Sequence, residues 1–141
     1  MKVIGKSLLD LVSSEAKITP RLRMNYNFHQ SMDEKCHRFL NAVEPGTQVP
    51  IHRHPTKDET FVILRGKVKV STYDDEGNVK EDIILCPEDG KYGVDIKRDV
   101  WHSLESLETG SVIFEVKEGP FVPHEVDGIL AMSDVRSKML L

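Results

Sequence analysis

Residues 46–66 read GTQVPIHRHPTKDETFVILRG. His52 and His54 stand two apart in this stretch. Alternate side chains of an extended chain leave opposite faces, so on a strand both imidazoles project from the same face. Pro55 has no N–H to give to a ladder and is expected to end that strand. The turn over 55–58 lets Glu59 start the next strand facing back, and the apolar run 60–64 (TFVIL) is closed by Arg65-Gly66. Two imidazoles and one carboxylate therefore converge from adjacent strands. A third imidazole can come from anywhere in the fold, and His102 in DVWHSL (99–104) is the candidate. Six histidines in 141 residues give roughly 0.3 chance HxH pairs. The pair acquires weight only from Glu59 at its offset and from the glycines at both flanks.

The surrounding chain reads as β. Val68, Val70 and Thr72 alternate with Lys67, Lys69 and Ser71, and 74–78 (DDEGN) is a hairpin-type turn. Residues 79–85 resume a strand that 87–90 (PEDG) ends. Val112, Phe114 and Val116 alternate with Ile113 and Glu115. Residues 36–43 (CHRFLNAV) fit either period; strand is favoured because 44–46 (EPG) is a turn signal and strands follow. Near the start, 7–16 predicts a short helix with Ser7 as N-cap, an apolar stripe of Leu8, Leu9, Leu11 and Val12, and a stop at Thr19-Pro20. Many short strands in one small chain favour a sandwich, barrel or jelly roll. The segment after Pro120 has no clear period.

At 141 residues and a net charge of −4, the length suits one domain with a real core. No basic run suggests nucleic acid, and the apolar runs fall far short of a membrane span. Lys6 and Asp10 interrupt the apolar start, which argues against a signal peptide. Cys36 and Cys86 form no CxxC and no disulfide framework; they are expected in the core of a cytoplasmic protein with reduced thiols. His37 and His124 have no partner spacing and read as surface or packed histidines.

Gly46, His52, His54, Glu59 and Gly66 fill G-x5-H-x-H-x4-E-x6-G, and this stretch resembles the first cupin motif. The second, G-x5-P-x-G-x2-H-x3-N, is met at His102; Lys97, Asp99 and Ser106 replace its proline, second glycine and asparagine. From about Ala16 to Gly119 the chain resembles the WbuC family of cupin-fold metalloproteins, on PRLRMNYNFH, EPGTQVPIHRH, DVWHSLE and EGPF. That family's name is associated with bacterial surface-polysaccharide gene clusters. The resemblance implies an all-β fold: a cupin jelly-roll β-barrel (double-stranded β-helix) with a short N-terminal helix. The expected layout is a single cupin domain over 1–141, with a helical extension at 1–20, the barrel at 21–119 and a C-terminal tail at 120–141. It implies one divalent transition-metal ion held by His52, His54, Glu59 and His102. Imidazoles plus a carboxylate suit Fe, Mn, Ni, Co, Cu or Zn without choosing among them. An octahedral ion with four protein ligands keeps two positions for water or substrate, which suits catalysis. Pairing of small cupins through sheet edges makes a homodimer the expectation.

The resemblance also bears on RLRMNYNFH (21–29), where Arg21, Arg23, Asn25, Asn27 and His29 share one face and Leu22, Met24, Tyr26 and Phe28 the other. The ordinary reading buries the apolar face and leaves the polar one in water. A cupin interior has a polar mouth at its metal. There the polar face is expected to turn towards the metal, with Arg23, Asn25, Asn27 and His29 lining a substrate site and Arg21 nearer its rim. The apolar face would pack on the N-terminal helix or a partner subunit. Guanidinium forks suit carboxylate or phosphate, and amides read hydroxyls, so the expected ligand is a small anionic or sugar-related molecule. Two functions compete: a metal-dependent enzyme (isomerase, epimerase or dioxygenase), and a non-catalytic module whose metal anchors a ligand or sugar. Only turnover separates them.

Overall fold

A computed structural model describes residues 1–121 and a two-residue strand at 130–131. The order is helix α1 (Lys6–Ile18), then β1 (Arg23–Asn27), β2 (Cys36–Val43), β3 (His52–Arg53), β4 (Glu59–Arg65) and β5 (Val68–Tyr73). There follow β6 (Val79–Leu85), a 3-10 turn (Pro87–Asp89), β7 (Gly93–Ile96), β8 (Trp101–Ser106), β9 (Ser111–Glu118) and β10 (Leu130–Ala131). Two five-stranded antiparallel sheets result, one ordered β1-β2-β9-β4-β7 and the other β10-β3-β8-β5-β6. This is the cupin jelly roll: an all-β fold with one short helix, its sheets facing each other without closing into a barrel. No helix of the described residues is long and apolar enough to cross a membrane.

Alternation decides where each side chain goes. Val43, Phe61, Ile63 and Ile113 of the first sheet meet Val68, Val70 and Leu85 of the second in the core between the sheets. The other face of the first sheet is also buried, under α1. Leu9, Val12 and Ala16 form one helical stripe, and it packs on Leu40, Ala42 and Val112. Met24, Tyr26 and Phe28 join this second cluster. The apolar face of β1 thus lies against the helix and its polar face is turned to the space between the sheets. Arg65 ties α1 down, donating to Asp10 at 2.6 Å, Ser13 Oγ at 2.9 Å and Gly110 O at 3.0 Å.

Some local expectations are corrected. The helix starts one residue before Ser7, and Gly5, not Ser7, is its N-cap. Leu11 is exposed, because the buried stripe runs through positions 9, 12, 13 and 16. Cys36 is exposed at the first position of β2, whereas Cys86 is buried. His124 lies outside the described residues.

The two flanking glycines of the 46–66 stretch have a backbone reason. Gly46 and Gly66 adopt φ of 95° and 92°, which side chains with a Cβ rarely enter. At Gly66 a Cβ would also stand 2.6 Å from Ser111 Cα, where β4 turns close past β9. Gly90 has φ of 73° but open space around it. Gly90→Ala should cost about 1–3 kcal/mol from backbone strain alone. Gly66→Ala should cost distinctly more, because backbone as well as side chain must move. Urea unfolding of the two variants checks this; equal losses would show that the close approach is relieved without penalty.

Candidate metal centre

β3 and β8 are neighbours, with His52 directly opposite His102. β4 crosses from the other sheet and begins at Glu59. His52, His54 and His102 each offer a ring nitrogen, and these atoms lie within 4.8 Å of one another. Glu59 closes the group: Oε2 is 3.0 Å from His54 Nε2 and Oε1 is 3.4 Å from His102 Nε2. His54, His102 and Glu59 are buried, and His52 is half-buried.

Two of the rings have fixed tautomers. His52 Nδ1 lies 2.7 Å from Pro50 O and His102 Nδ1 lies 2.9 Å from Val100 O. A carbonyl only accepts, so both Nδ1 atoms carry the hydrogen, and in the neutral rings both Nε2 atoms present lone pairs. His102 Nε2 has no hydrogen-bond partner among the described residues and faces a carboxylate oxygen. Two buried acceptors facing each other repel unless a cation lies between them. Burial, and then His102, pushes the neighbouring His52 down to about 4, so that ring is neutral at neutral pH. Burial works against the charge of Glu59, but the closeness of His102 and His54 outweighs it and holds its carboxyl below the usual range. Three imidazoles and one carboxylate form a donor set that fits a divalent transition metal.

The same residues line a cavity of about 200 Å³. Arg23 and Asn25, on the polar face of β1, border it, as does Arg21 just before the strand. Among the described residues neither guanidinium has a carboxylate within 4.0 Å. Burial, and then Arg21, lowers the pKa of Arg23, which still stays cationic. Asn27 and His29 are not part of this lining, contrary to expectation. Asn27 is exposed at the far end of β1. His29 follows the strand's end and is buried against His37, the rings stacked at 4.2 Å and inclined by 5°. His29 Nδ1 accepts from Arg38 N–H at 3.1 Å, and His37 Nε2–H donates to Met32 O at 3.1 Å. The pair welds the β1–β2 connection rather than reading a ligand.

Residues beyond that reading also face the cavity: Asn41 from β2, and Glu115 and Lys117 from β9. Burial, then the charge of Glu59, pushes Glu115 up to about 8, while Lys117, Asn41 and Arg23 pull the other way. The available signal was the alternation Ile113, Glu115, Lys117, in which one strand face changes from apolar to charged.

The arrangement defines a cupin fold with its imidazoles and carboxylate at the polar mouth. Solved structures similar to it include the capsular polysaccharide assembling protein CapF from Staphylococcus aureus, 20% identical with a TM-score of 0.64 over 81% of this chain. The chain spans only 30% of CapF. The QdtA 3,4-ketoisomerase from Thermoanaerobacterium thermosaccharolyticum, solved with TDP, is 19% identical over 73% of this chain and 69% of its own, TM-score 0.55. A cupin 2 domain-containing protein from Halorhodospira halophila is 16% identical over 68% and 63%, TM-score 0.54. No curated protein matches the sequence. A family model described as a domain of unknown function (DUF6016) matches residues 4–85, more than half of the chain, and the chain belongs to that family.

The histidine pair outside this lining has its own pH signature. Burial first, then His29, lowers the pKa of His37. A folded-state pKa below the unfolded value contributes stability that is fully present above the unfolded value, near 6.5, and is lost as pH falls through the folded one. His37→Gln keeps a donor for Met32 O and removes the titration. The loss of stability between pH 6.5 and 5, measured by denaturant unfolding, should be shallower in this variant than in the wild type. An unchanged slope would place the acid sensitivity elsewhere.

Proposed function

We propose that the protein is a metal-dependent cupin in which His52, His54, His102 and Glu59 hold one divalent transition-metal ion. On this reading Arg21, Arg23 and Asn25 bind a small anionic or sugar-related molecule beside it. The observation that carries the reading is the buried, unpartnered Nε2 of His102 opposed to a Glu59 oxygen, in the same cavity as two guanidiniums that have no carboxylate within 4.0 Å among the described residues. When bound, such an ion would polarise a carbonyl or carboxylate oxygen of the ligand. The guanidiniums would hold the anionic end as a fork, and Asn25 would read a hydroxyl. Phe39, Phe61 and Leu104 give the cavity apolar wall that keeps water from these pairs.

CapF is named for capsular polysaccharide assembly and QdtA for ketoisomerisation. Both descriptions support a sugar-related ligand here and, with the WbuC-like motifs, a role in surface-polysaccharide metabolism in the cytoplasm. An isomerase or epimerase is the enzymatic form of this reading. A homodimer paired through uncovered strand edges belongs to it as well: β1, β6 and β7 are edge strands, and Val79 and Ile84 of β6 are exposed.

Elemental analysis of the purified protein should find one transition metal per chain. His52→Ala and His102→Ala should lose most of it, each removing one of four ligands. Arg23→Ala should keep the metal and the fold but bind a small carboxylate at least about tenfold more weakly, as the loss of a charge-assisted contact implies. Metal content unchanged in both histidine variants would sink the metal assignment. For the assembly, light scattering at micromolar concentration should give twice the 16.0 kDa chain mass; the mass of one chain would refute the pairing.

A further inference from the structure

One wall of the cavity has chemistry that an anion site alone does not need. Val43, Asn41 and Phe39 follow one another along the inward face of β2, and Ile113, Glu115 and Lys117 do so along β9. The two strands are paired, with Asn41 directly opposite Ile113. Asn41 lies beside Glu115, and its buried Oδ1 has no hydrogen-bond partner among the described residues. A buried acceptor without a donor keeps the full cost of its desolvation. Such a cost, at the edge of a cavity, marks a place where a ligand donor fits. Glu115 adds carboxyl oxygens beside it. A carboxyl group accepts from a hydroxyl in either protonation state, and when protonated it donates as well.

We infer that Asn41 and Glu115 read hydroxyl groups, so that the ligand of this cavity is a compact polyhydroxylated carboxylic acid. The carboxylate lies towards Arg23 and Lys117, and the hydroxyls lie along the Asn41–Glu115 wall. Two further observations fit. The cavity's roughly 200 Å³ lies below the 300 Å³ at which pockets for larger ligands begin, which suits a chain of few carbons ending in the smallest common anionic group. A negative or neutral-polar group between cations is also a poor choice for a site that merely attracts anions, because it weakens their field. The assignment rests on the proposed reading of the cavity as an anion site.

Calorimetric titration with threonate and with butyrate tests it. The two acids have the same carbon number, and only threonate carries hydroxyls. Both are titrated into the full chain, metal-free and Mn²⁺-loaded. Wild-type protein should bind threonate at least tenfold more tightly than butyrate. Glu115→Leu should remove most of that preference by weakening threonate alone, with butyrate unchanged or tighter. Glu115→Gln, which keeps an acceptor and a donor, should retain the preference within about threefold, and Mn²⁺ content should be unchanged in both variants. Equal binding of the two acids by the wild type overturns the hydroxyl reading while leaving the anion site standing. A Glu115→Leu protein that loses threonate and butyrate alike overturns it too, since that is the mark of a structural residue. Failure of the wild type to bind either acid overturns both readings.

Discussion

The site depends on two acceptors held face to face. His102 Nε2 and Glu59 Oε1 stand 3.4 Å apart in a buried place. The Val100 carbonyl takes the Nδ1–H of His102, so the ring cannot relieve the opposition by changing tautomer. The Pro50 carbonyl does the same for His52. These two carbonyls belong to chain just before β8 and β3, so the backbone paths into the two strands set the lone-pair directions. Glu59 comes from the other sheet. The packing of the two sheets is therefore what brings the fourth donor up to the imidazoles. A group so arranged gains from a cation and loses without one, which makes the jelly roll itself the frame of the metal reading.

The space beside it is shaped by a polarity gradient along the strands of the first sheet. The inward face of β4 runs from Ile63 through Phe61 to Glu59, and that of β9 from Ile113 through Glu115 to Lys117. At the apolar end these side chains meet the second sheet and form the core. At the polar end they cannot, because burying unpaired charges against Val68 or Val70 would cost more than the packing returns. The sheets are thus sealed at one end and lined by polar groups at the other. Covering the outer face of the same sheet with α1 permits this. Leu40, Ala42 and Val112 are buried under the helix, with Met24 and Tyr26 partly buried beside them, so β1 need not turn its apolar face inward and Arg23 reaches the cavity.

Much of this was legible in sequence wherever the period was clean. The alternation in 21–29 separated the two faces, the turn signal after Val43 resolved 36–43 as a strand, and the HxH spacing put two imidazoles on one side. What escaped had weaker or misleading signals. β7 is four residues long (GVDI) and begins with a glycine, so it offers no alternation. Period 2 correctly put Asn27 and His29 on the face of Arg23, but it says nothing about where along the strand the cavity stops. His29 lies beyond that point, and its partner His37 comes from a neighbouring strand, a pairing no local pattern contains. Glu115 stands between Phe114 and Val116, and alternation alone does not say which of the two faces is inward; only the pairing of β9 with both β2 and β4 makes it interior.

One departure from the second motif has a structural role of its own. Asp99 stands where that motif has glycine, and it adopts φ of 67°. The left-handed conformation is retained, since aspartate tolerates it better than most residues. The side chain then adds what glycine lacks. Its carboxylate pairs with Arg53 Nε at 3.2 Å, while its N–H donates to His54 O at 2.8 Å. Arg53 lies between His52 and His54 in sequence and its guanidinium covers the Trp101 ring at 4.4 Å from the centroid. Trp101 in turn precedes His102 and donates its Nε1–H to Asp75 at 3.1 Å. Arg53 and Trp101 alternate with His52, His54 and His102, so they lie on the opposite face of the same strands. The ion pair and the cation–π contact thereby clamp β3 to β8 from behind. A two-residue strand such as β3 has little ladder of its own to hold it. The clamp supplies that hold, and the aspartate that breaks the motif is one of its parts.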